Sequence, residues 1–185
     1  MECEGVMELI EKTVESEFVY DGKVVRLFVD KVELPDGQTS IREIIKHLGA
    51  VCVIPITDDG EVILERQYRY AVGETLIEIP AGKLDSADED MRDAVLRELR
   101  EETGAVPTEL IYLGVYYGSP AIMGEKIGMF MARGLTFGEN DLDEDEFLEV
   151  FRMPLNELVA MVMRGEITDG KTQCAALRAA RMLGI

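Results

Sequence analysis

The sequence lacks the features of several protein classes. Its three cysteines, Cys3, Cys52 and Cys174, are odd in number, far apart in the chain and without metal-ligand spacing. This pattern excludes a disulfide framework and predicts reduced thiols, with Cys52 as a small buried apolar side chain. No stretch approaches the ~20 apolar residues of a membrane span, and residues 1–4 lack the positive charge of a signal peptide. We therefore expect a cytoplasmic protein.

Basic residues are also scarce. The chain has 19 Lys and Arg against 37 Asp and Glu, a formal net charge of -18. Such a protein repels the phosphate backbone of nucleic acid and an anionic membrane surface, so neither is an expected partner. A polyanion that acts on an anionic substrate needs a cation between them, which points to a divalent metal.

The pattern of turns and apolar residues indicates a small sheet at the N-terminus. Residues 5–16 fit either a short helix or a strand. Turn sequences at Asp21-Gly22 and Pro35-Asp36-Gly37 then divide a β-meander. Its first strand is predicted at 18–20, its second stretch runs over 24–29 and 31–34, and a third strand follows at 39–46. A sheet of this size is marginal alone, so residues 1–47 should form a subdomain that packs on the main domain or on a second subunit.

Residues 48–185 read as the main domain, with no internal repeat and no low-complexity segment. A buried strand over 50–56 and a returning strand over 61–68 flank the hairpin turn Asp58-Asp59-Gly60. Further strands are predicted at 76–79, 110–117, 126–132 and 147–152, and helices at 87–103, 154–164 and 171–183. Strands mixed with helices in this way predict an α/β sandwich with a mixed sheet.

The helix at 87–103 has the clearest end signals in the chain. Ser86 and Glu89 have the spacing of a capping box, in which each side chain accepts from a backbone N–H of the first turn. Gly104 supplies the left-handed exit. The sequence therefore predicts a helix that begins directly after Ser86.

Three glutamates share one edge of this helix. At 3.6 residues per turn Glu98 and Glu102 stack, and Glu101 flanks them at the margin of the apolar face. Like charges ~5 Å apart repel by several kcal/mol at an effective dielectric of ~20, and Mg²⁺ relieves that repulsion by taking the carboxylate oxygens as ligands. The plainer alternative is a solvated acidic face balanced by Arg97 and Arg100.

The order of residues around these glutamates resembles the Nudix box. Gly82, Glu89 and the segment from Arg97 to Ala105, read as Arg-Glu-Leu-Arg-Glu-Glu-Thr-Gly-Ala, match its glycine, its first glutamate and its final run. Six residues, instead of the usual five, separate Gly82 from Glu89, so Asp88 occupies the position expected for that glutamate. The extra residue falls in the loop ahead of the helix.

Residues outside the box resemble one subfamily, the ADP-ribose pyrophosphatases. The matching segments are Gln67-Tyr68-Arg69, Glu78 to Gly82, and Ser119-Pro120, whose proline follows Gly104 by 16 residues as in that subfamily. The resemblance implies a Nudix α/β/α sandwich behind a small antiparallel sheet, and a homodimer. It also implies Mg²⁺, or Mn²⁺ as the alternative ion, and a nucleoside diphosphate substrate. Ala121 departs from the family's Ser-Pro-Gly.

The same resemblance assigns residues to the metal and to catalysis. Arg97 would orient the glutamates through an ion pair. The acidic loop, predicted at residues 139–146, would supply the catalytic glutamate, with Glu146 as the first choice and Glu144 as the second. The implied metal ligands are the Ala81 carbonyl, Glu98, Glu101, Glu102 and Glu146.

A further set of residues is assigned to the substrate by the resemblance. Arg42 and Arg69 match family arginines that contact it, and arginine suits phosphate because its planar fork donates two hydrogen bonds. For Arg42 ordinary surface pairing is an equal alternative. Glu125 matches an acidic position near the terminal ribose, whereas His47 has a structural role. The full substrate-binding set is Arg42, Arg69, Glu78, Gly82, Pro120 and Glu125.

The expected reaction is hydrolysis of ADP-ribose to AMP and ribose 5-phosphate. In it the metal bridges the diphosphate and an acidic-loop glutamate helps to deprotonate water. Two alternatives remain open at the level of the sequence. One is a Nudix pyrophosphatase for a nucleotide sugar, NADH or FAD, and the other is a non-catalytic Nudix module that senses a ligand.

Overall fold

The chain forms two compact units in a computed structural model that describes residues 9–142 and 147–185. The first unit extends to His47 and includes 119–125, and the second comprises 48–118 and 126–185. Residues 119–125 thus belong to the first unit although they interrupt the second in sequence. Within the described residues no helix is long and apolar enough to cross a membrane.

The first unit is a three-stranded antiparallel sheet. Its strands β1 (Lys12–Asp21), β2 (Arg26–Glu33) and β3 (Thr39–Lys46) lie in sequence order. Because β1 begins at Lys12, the strand interpretation holds for the part of 5–16 that it covers. Residues 119–125 attach to β3, where the Ile45 N–H donates to the Ile122 carbonyl at 2.8 Å and the Gly124 N–H donates to the Ile45 carbonyl at 3.0 Å.

The second unit contains two sheets and three helices. A mixed four-stranded sheet has the order β7-β4-β9-β8, with β4 parallel to β9, and an antiparallel sheet has the order β10-β5-β6. The elements in chain order are β4 (Ala50–Pro55), β5 (Glu61–Arg69), β6 (Glu74–Glu78), β7 (Ala81–Lys83), α1 (Met91–Thr103), β8 (Ala105–Tyr116), β9 (Ile127–Phe137), β10 (Leu148–Pro154), α2 (Leu155–Arg164) and α3 (Gly170–Leu183).

Strand β4 lies at the centre of the core. Its side chains alternate between the two faces of the sheet. Cys52 and Ile54 pack in the cluster formed with α2 and α3, whereas Val51 and Val53 pack in the cluster formed with α1. All four side chains are fully buried. This layering confirms the predicted α/β sandwich with a mixed sheet and the small antiparallel sheet before it.

Two local predictions were wrong. Strand β5 does not return along β4, because the two strands share only the isolated bridge Ile56 to Val62 before β5 pairs with β6 and β10. Helix α1 begins at Met91 and not at residue 87, since Asp90 is its N-cap and accepts from the Arg92 N–H at 2.7 Å.

Candidate active site

The loop ahead of α1 is held differently from a capping box. Glu89 accepts from the Asp85 N–H at 2.6 Å through Oε2. Its Oε1 faces Arg97, whose Nη2 lies at 3.3 Å. The glutamate therefore stays outside the helix and bonds both the loop and an α1 side chain. The extra residue before Glu89 is accommodated ahead of Asp90, so the register between Glu89 and Arg97 is preserved.

The three glutamates of α1 lie at graded depths, and two of them, Glu98 and Glu102, contact strand β7. Glu102 is 2% exposed as a residue, and the side chains of Glu98 and Glu101 are 14% and 29% exposed. Gly82 of β7 lies directly against the Glu98 carboxylate, because a Cβ built on Gly82 would stand 1.9 Å from the Glu98 Cδ. Only glycine leaves room for the carboxylate in this position.

A hydrogen bond joins the other end of β7 to the deepest glutamate. The Ala81 N–H donates to Glu102 Oε2 at 3.1 Å. Ala81 is therefore a position of β7 whose N–H is not bonded to its cross-strand neighbour Cys52. In an extended strand the N–H and carbonyl of one residue leave on the same side, so the Ala81 carbonyl is also directed away from β4.

Arg97 bonds all the carboxylates around it. Its Nη1 donates to Glu98 Oε1 at 2.8 Å and to Glu101 Oε2 at 3.2 Å. Its Nη2 donates to the Lys83 carbonyl at 3.2 Å. Partial burial alone would lower the pKa of Arg97, but Glu98 and the other carboxylates outweigh it and raise the pKa above its ordinary value. Arg97 thus fixes two of the glutamates through a permanently charged fork.

Two further predicted residues form a partly buried ion pair at the end of β6, in which Glu78 is buried and Arg69 is 39% exposed. Arg69 donates from Nε to Glu78 Oε1 at 2.7 Å and from Nη2 to Oε2 at 2.8 Å. Sequence reasoning missed their third partner, Lys171, which also bonds Glu78 Oε2. Burial alone would raise the pKa of Glu78, but Arg69 and Lys171 together lower it.

One feature of the sequence predicts where Lys171 lies. Asp169 is the N-cap of α3 and accepts from the Thr172 N–H at 2.9 Å, and an Asp ahead of a periodic run is a cap signal. That signal places Lys171 in the first turn. It does not show that the turn is buried against β6.

The remaining substrate-binding candidates lie in the first unit. Arg42 pairs with Glu11 at 2.6 Å and also donates to Ser40 Oγ at 2.9 Å, so ordinary pairing accounts for its place in the structure. Pro120 lies in a turn in which the Ser119 carbonyl accepts from the Met123 N–H at 2.9 Å.

His47 and Glu125, both in the first unit, lie close to each other. Glu125 Oε1 stands 3.5 Å from His47 Nε2. His47 thus has the structural contact expected of it, and Glu125 shares that contact.

The predicted catalytic glutamates, Glu144 and Glu146, lie outside the described residues. The chain on both sides of them is attached to the second unit. The Asp141 N–H donates to the Glu101 carbonyl at 2.9 Å, and Leu148 pairs with Gln67 of β5. Asp141 is therefore bonded to the last turn of α1.

The donor set of α1 and β7 fits a hard divalent cation. Within residues 9–142 and 147–185 no three His, Cys, Asp or Glu side chains are arranged to hold a metal ion. Mg²⁺, however, is commonly bound by one or two carboxylates, with water and substrate phosphates as its other ligands. Glu98, Glu102 and the Ala81 carbonyl supply oxygen donors of that kind, and Gly82 leaves the space that Glu98 occupies. Fold and site together define an α/β sandwich protein with an oxygen-donor site on a glutamate helix.

Comparisons with known proteins agree with this class. The NUDIX domain model matches residues 46–173, and the model of the nucleoside diphosphate sugar hydrolase N-terminal domain matches residues 11–45. The chain is 43% identical to the ADP-ribose pyrophosphatase of Bacillus subtilis (strain 168), over 90% of this chain and 91% of the relative. It is 44% identical to the methanol dehydrogenase activator of Bacillus methanolicus, over 89% and 90% of the two chains.

A solved structure supports the fold. The crystal structure of an ADP compounds hydrolase superposes with a TM-score of 0.84, at 21% identity, over 98% of this chain and 97% of that one. The chain belongs to the Nudix family and is a Nudix hydrolase. Nudix hydrolases generally require a divalent metal.

Proposed function

We propose that the chain hydrolyses the diphosphate bond of ADP-ribose, giving AMP and ribose 5-phosphate in a reaction that depends on Mg²⁺. The similarity to a relative named ADP-ribose pyrophosphatase, over about nine tenths of both chains, supports this substrate. The pair formed by Arg69 and Glu78 supports it as well, because Arg69 keeps an exposed edge suited to phosphate or to the face of adenine.

The metal in this proposal would be held by Glu98, Glu102 and the Ala81 carbonyl, with Glu101 as a further ligand and Mn²⁺ as the alternative ion. When bound, it supplies positive charge to the diphosphate oxygens. Arg97 keeps the Glu98 carboxylate in place, at 2.8 Å. The Ala81 N–H does the same for Glu102 at 3.1 Å.

The chemical step is the addition of one water molecule across the phosphoanhydride. The water oxygen forms a bond to one phosphorus while the bond from that phosphorus to the bridging oxygen breaks. The water gives up its proton to a base, for which we propose Glu146 first and Glu144 second. The bridging oxygen leaves on the other phosphate. Arg69 holds the substrate during this step through its outward guanidinium edge.

One observation carries the proposal: the carboxyl group of Glu102 is buried beside β7 and accepts the Ala81 N–H. A buried carboxylate is costly unless it is bonded or binds a cation. Replacing Glu102 by Gln keeps an oxygen that can accept the Ala81 N–H, so the free energy of unfolding should change by less than about 1 kcal/mol. Turnover should fall by at least about 100-fold.

The measurement is release of AMP from ADP-ribose at saturating Mg²⁺, with urea denaturation of each variant. The matched control is Glu109→Gln, a glutamate exposed on β8, which should leave both quantities unchanged. Near-normal turnover of a folded Glu102→Gln protein would refute the metal assignment.

A nucleotide sugar is the second candidate substrate. The match of residues 11–45 to the nucleoside diphosphate sugar hydrolase N-terminal domain favours it. A panel of ADP-ribose, nucleotide sugars, NADH and FAD, compared by kcat/KM with product identification, separates the candidates. The proposal for ADP-ribose fails if another member of the panel exceeds it by tenfold or more.

We also propose that the protein is a cytoplasmic homodimer built on its N-terminal sheet. All ten residues of the edge strand β1 are exposed, and they include the apolar side chains of Val14, Phe18 and Tyr20. An exposed edge with an apolar face favours pairing with another chain. Light scattering should give twice the chain mass of 20.7 kDa, and a monomer mass would contradict the dimer.

A further inference from the structure

The first turn of α3 makes a charged contact with the end of β6. Lys171 donates to Glu78 Oε2 and to Asp169 Oδ1 at 3.1 Å. The side chains of Lys171 and Glu78 are only 11% and 1% exposed. A lysine is rarely buried unless it is paired, so this ammonium serves a contact inside the fold.

The contact reaches Arg69 through a single carboxylate. Glu78 Oε2 accepts from both Lys171 and Arg69 Nη2, and Glu78 Oε1 accepts from Arg69 Nε. This two-point bond fixes the plane of the guanidinium. Within residues 9–142 and 147–185 no hydrogen bond involves Arg69 Nη1, and the arginine side chain is 39% exposed. The orientation of the outward edge of Arg69 therefore depends on the orientation of Glu78.

The turn that carries Lys171 is itself fixed on two sides. Thr172, which is fully buried, accepts the Ile79 N–H at 2.9 Å through its hydroxyl oxygen. On the other side, a Cβ at Gly170 would stand 2.2 Å from the Tyr116 hydroxyl oxygen. Lys171 thus projects from a rigid support onto Glu78.

The local charges favour a second cation beside Glu78. Glu65 is fully buried and lies directly opposite Glu78 in the β5–β6 pair. Glu65, Glu78 and Asp169 all act electrostatically on Arg69. These three carboxylates thus lie beside two cations, Arg69 and Lys171. Without Lys171, Arg69 is the one cation left beside these carboxylates, and Glu78 Oε2 keeps only its bond from Arg69 Nη2.

We propose that Lys171 is a positioning residue for substrate binding: it holds Glu78 so that Arg69 presents its outward guanidinium edge to the diphosphate substrate. The proposal rests on the proposed function, in which Arg69 contacts the substrate. Lys171 touches neither substrate nor reacting atoms, and it acts through Glu78 and Arg69. Its loss should therefore weaken binding and leave the chemical step nearly unchanged.

The test is steady-state hydrolysis of ADP-ribose with Mg²⁺ by the full chain and by Lys171→Met. The expected result is a KM about tenfold higher with kcat within about twofold of the wild type. Lys171→Arg keeps the charge and should restore KM to within about threefold. The matched control is Arg181→Met, which removes an exposed cation from the same helix and should change neither constant. An unchanged KM in Lys171→Met would overturn the proposal.

A double-variant comparison separates positioning from a general effect on the fold. In an Arg69→Gln background, Lys171→Met should raise KM by less than about twofold, because the residue it acts through is already gone. If the fold-change in KM of the double variant equals the product of the fold-changes of the two single variants, Lys171 does not act through Arg69. Should Lys171→Met fail to fold, Lys171→Gln, which retains a neutral donor, is compared in its place under the same criteria.

Failure of the proposed function is recognised in the wild type alone. A wild-type protein that does not hydrolyse ADP-ribose overturns that function and this inference with it. If the wild type is active, two results overturn the inference only. One is an unchanged KM in Lys171→Met, and the other is a double variant whose rise in KM equals the product of the rises in the two single variants.

Discussion

Replacing Gly82 by Ala should damage the site while leaving the fold almost intact. The new Cβ would stand 1.9 Å from the Glu98 Cδ and 2.0 Å from its Oε1. Gly82 does not have a positive φ, so alanine fits its backbone without strain. The collision is with the end of a flexible side chain, and Glu98 is the group that must move.

The size of the movement sets the expected effect. The Glu98 carboxylate must shift by about 1.5 Å, the difference between 1.9 Å and the 3.4 Å at which ordinary contact begins. Mg²⁺ demands near-ideal octahedral geometry, and a misplacement of about 1 Å can cost about 100-fold in rate. We therefore expect kcat/KM to fall by about 100-fold or more. The concentration of Mg²⁺ for half-maximal rate should rise as well.

Stability should respond far less. The shift weakens the bond between Glu98 and Arg97, which at 2.8 Å contributes about 1 kcal/mol. In a chain of this length that corresponds to a fall in Tm of about 2–4 °C. The assay is AMP release across a Mg²⁺ titration, together with thermal melting followed by circular dichroism.

Gly118→Ala is the matched control for this substitution. Its Cβ would meet the Tyr116 ring at an ordinary 3.7 Å, so rate and Tm should remain those of the wild type. A folded Gly82→Ala protein with kcat/KM within threefold of the wild type would show that Glu98 need not occupy its observed position. The role of Gly82 as the space for a metal-binding carboxylate would then be wrong.

Two further predictions concern ionisable groups. Arg69 and Lys171 lower the pKa of Glu78 below its ordinary 4.5, so its charge stabilises the fold fully above pH 4.5 and this contribution is lost as the pH falls through the lowered pKa. The difference in free energy of unfolding between wild type and Glu78→Gln should therefore shrink below pH 4.5, and a difference that stays constant to about pH 3 would contradict this. Burial raises the pKa of Cys52 to about 12. Peptide mass spectrometry should therefore find Cys52 unalkylated in the native protein at pH 8 and alkylated after unfolding. Rapid labelling of Cys52 in the native protein would count against its burial.

The sequence predicted those features that depend on local chemistry. Strand β3 spans Thr39–Lys46, as predicted, because the turn at Pro35-Asp36-Gly37 marks the end of the preceding strand. Helix α3 begins one residue before its predicted start. The stacked glutamates of α1 follow from helical periodicity alone.

The start of α1 shows where a local motif misled the prediction. Ser86 and Glu89 have the spacing of a capping box, yet the Glu89 carboxylate accepts its bonds from Asp85 and Arg97. A capping signal fixes a helix start only when its side chain has no stronger partner. Here the guanidinium of Arg97 is such a partner, and Asp90 caps the helix instead.

The sequence did not predict the long-range pairing of strand β5, for a different reason. A glycine turn between apolar strands predicts a hairpin, but β5 leaves β4 after one bridge to pair with β6 and β10. Lys171 was missed on similar grounds, because a lysine in a helix is expected at the surface. Its burial follows from the bonds of the first turn of α3 to Glu78 and Ile79.

The short segment from Glu78 to Gly82 connects the residues proposed for substrate binding with those proposed for metal binding, and variants should separate the two roles. At one end Lys171 holds Glu78 from α3 and Thr172 holds the Ile79 N–H. At the other end the Ala81 N–H is bonded to α1, and Gly82 makes room for a glutamate there. Substitutions on α3 should therefore act on KM through Arg69, whereas substitutions at the α1 face should act on kcat and on the Mg²⁺ requirement. Because the two anchors are separate bonds to different helices, we expect a variant at one anchor to leave the kinetic constant governed by the other nearly unchanged.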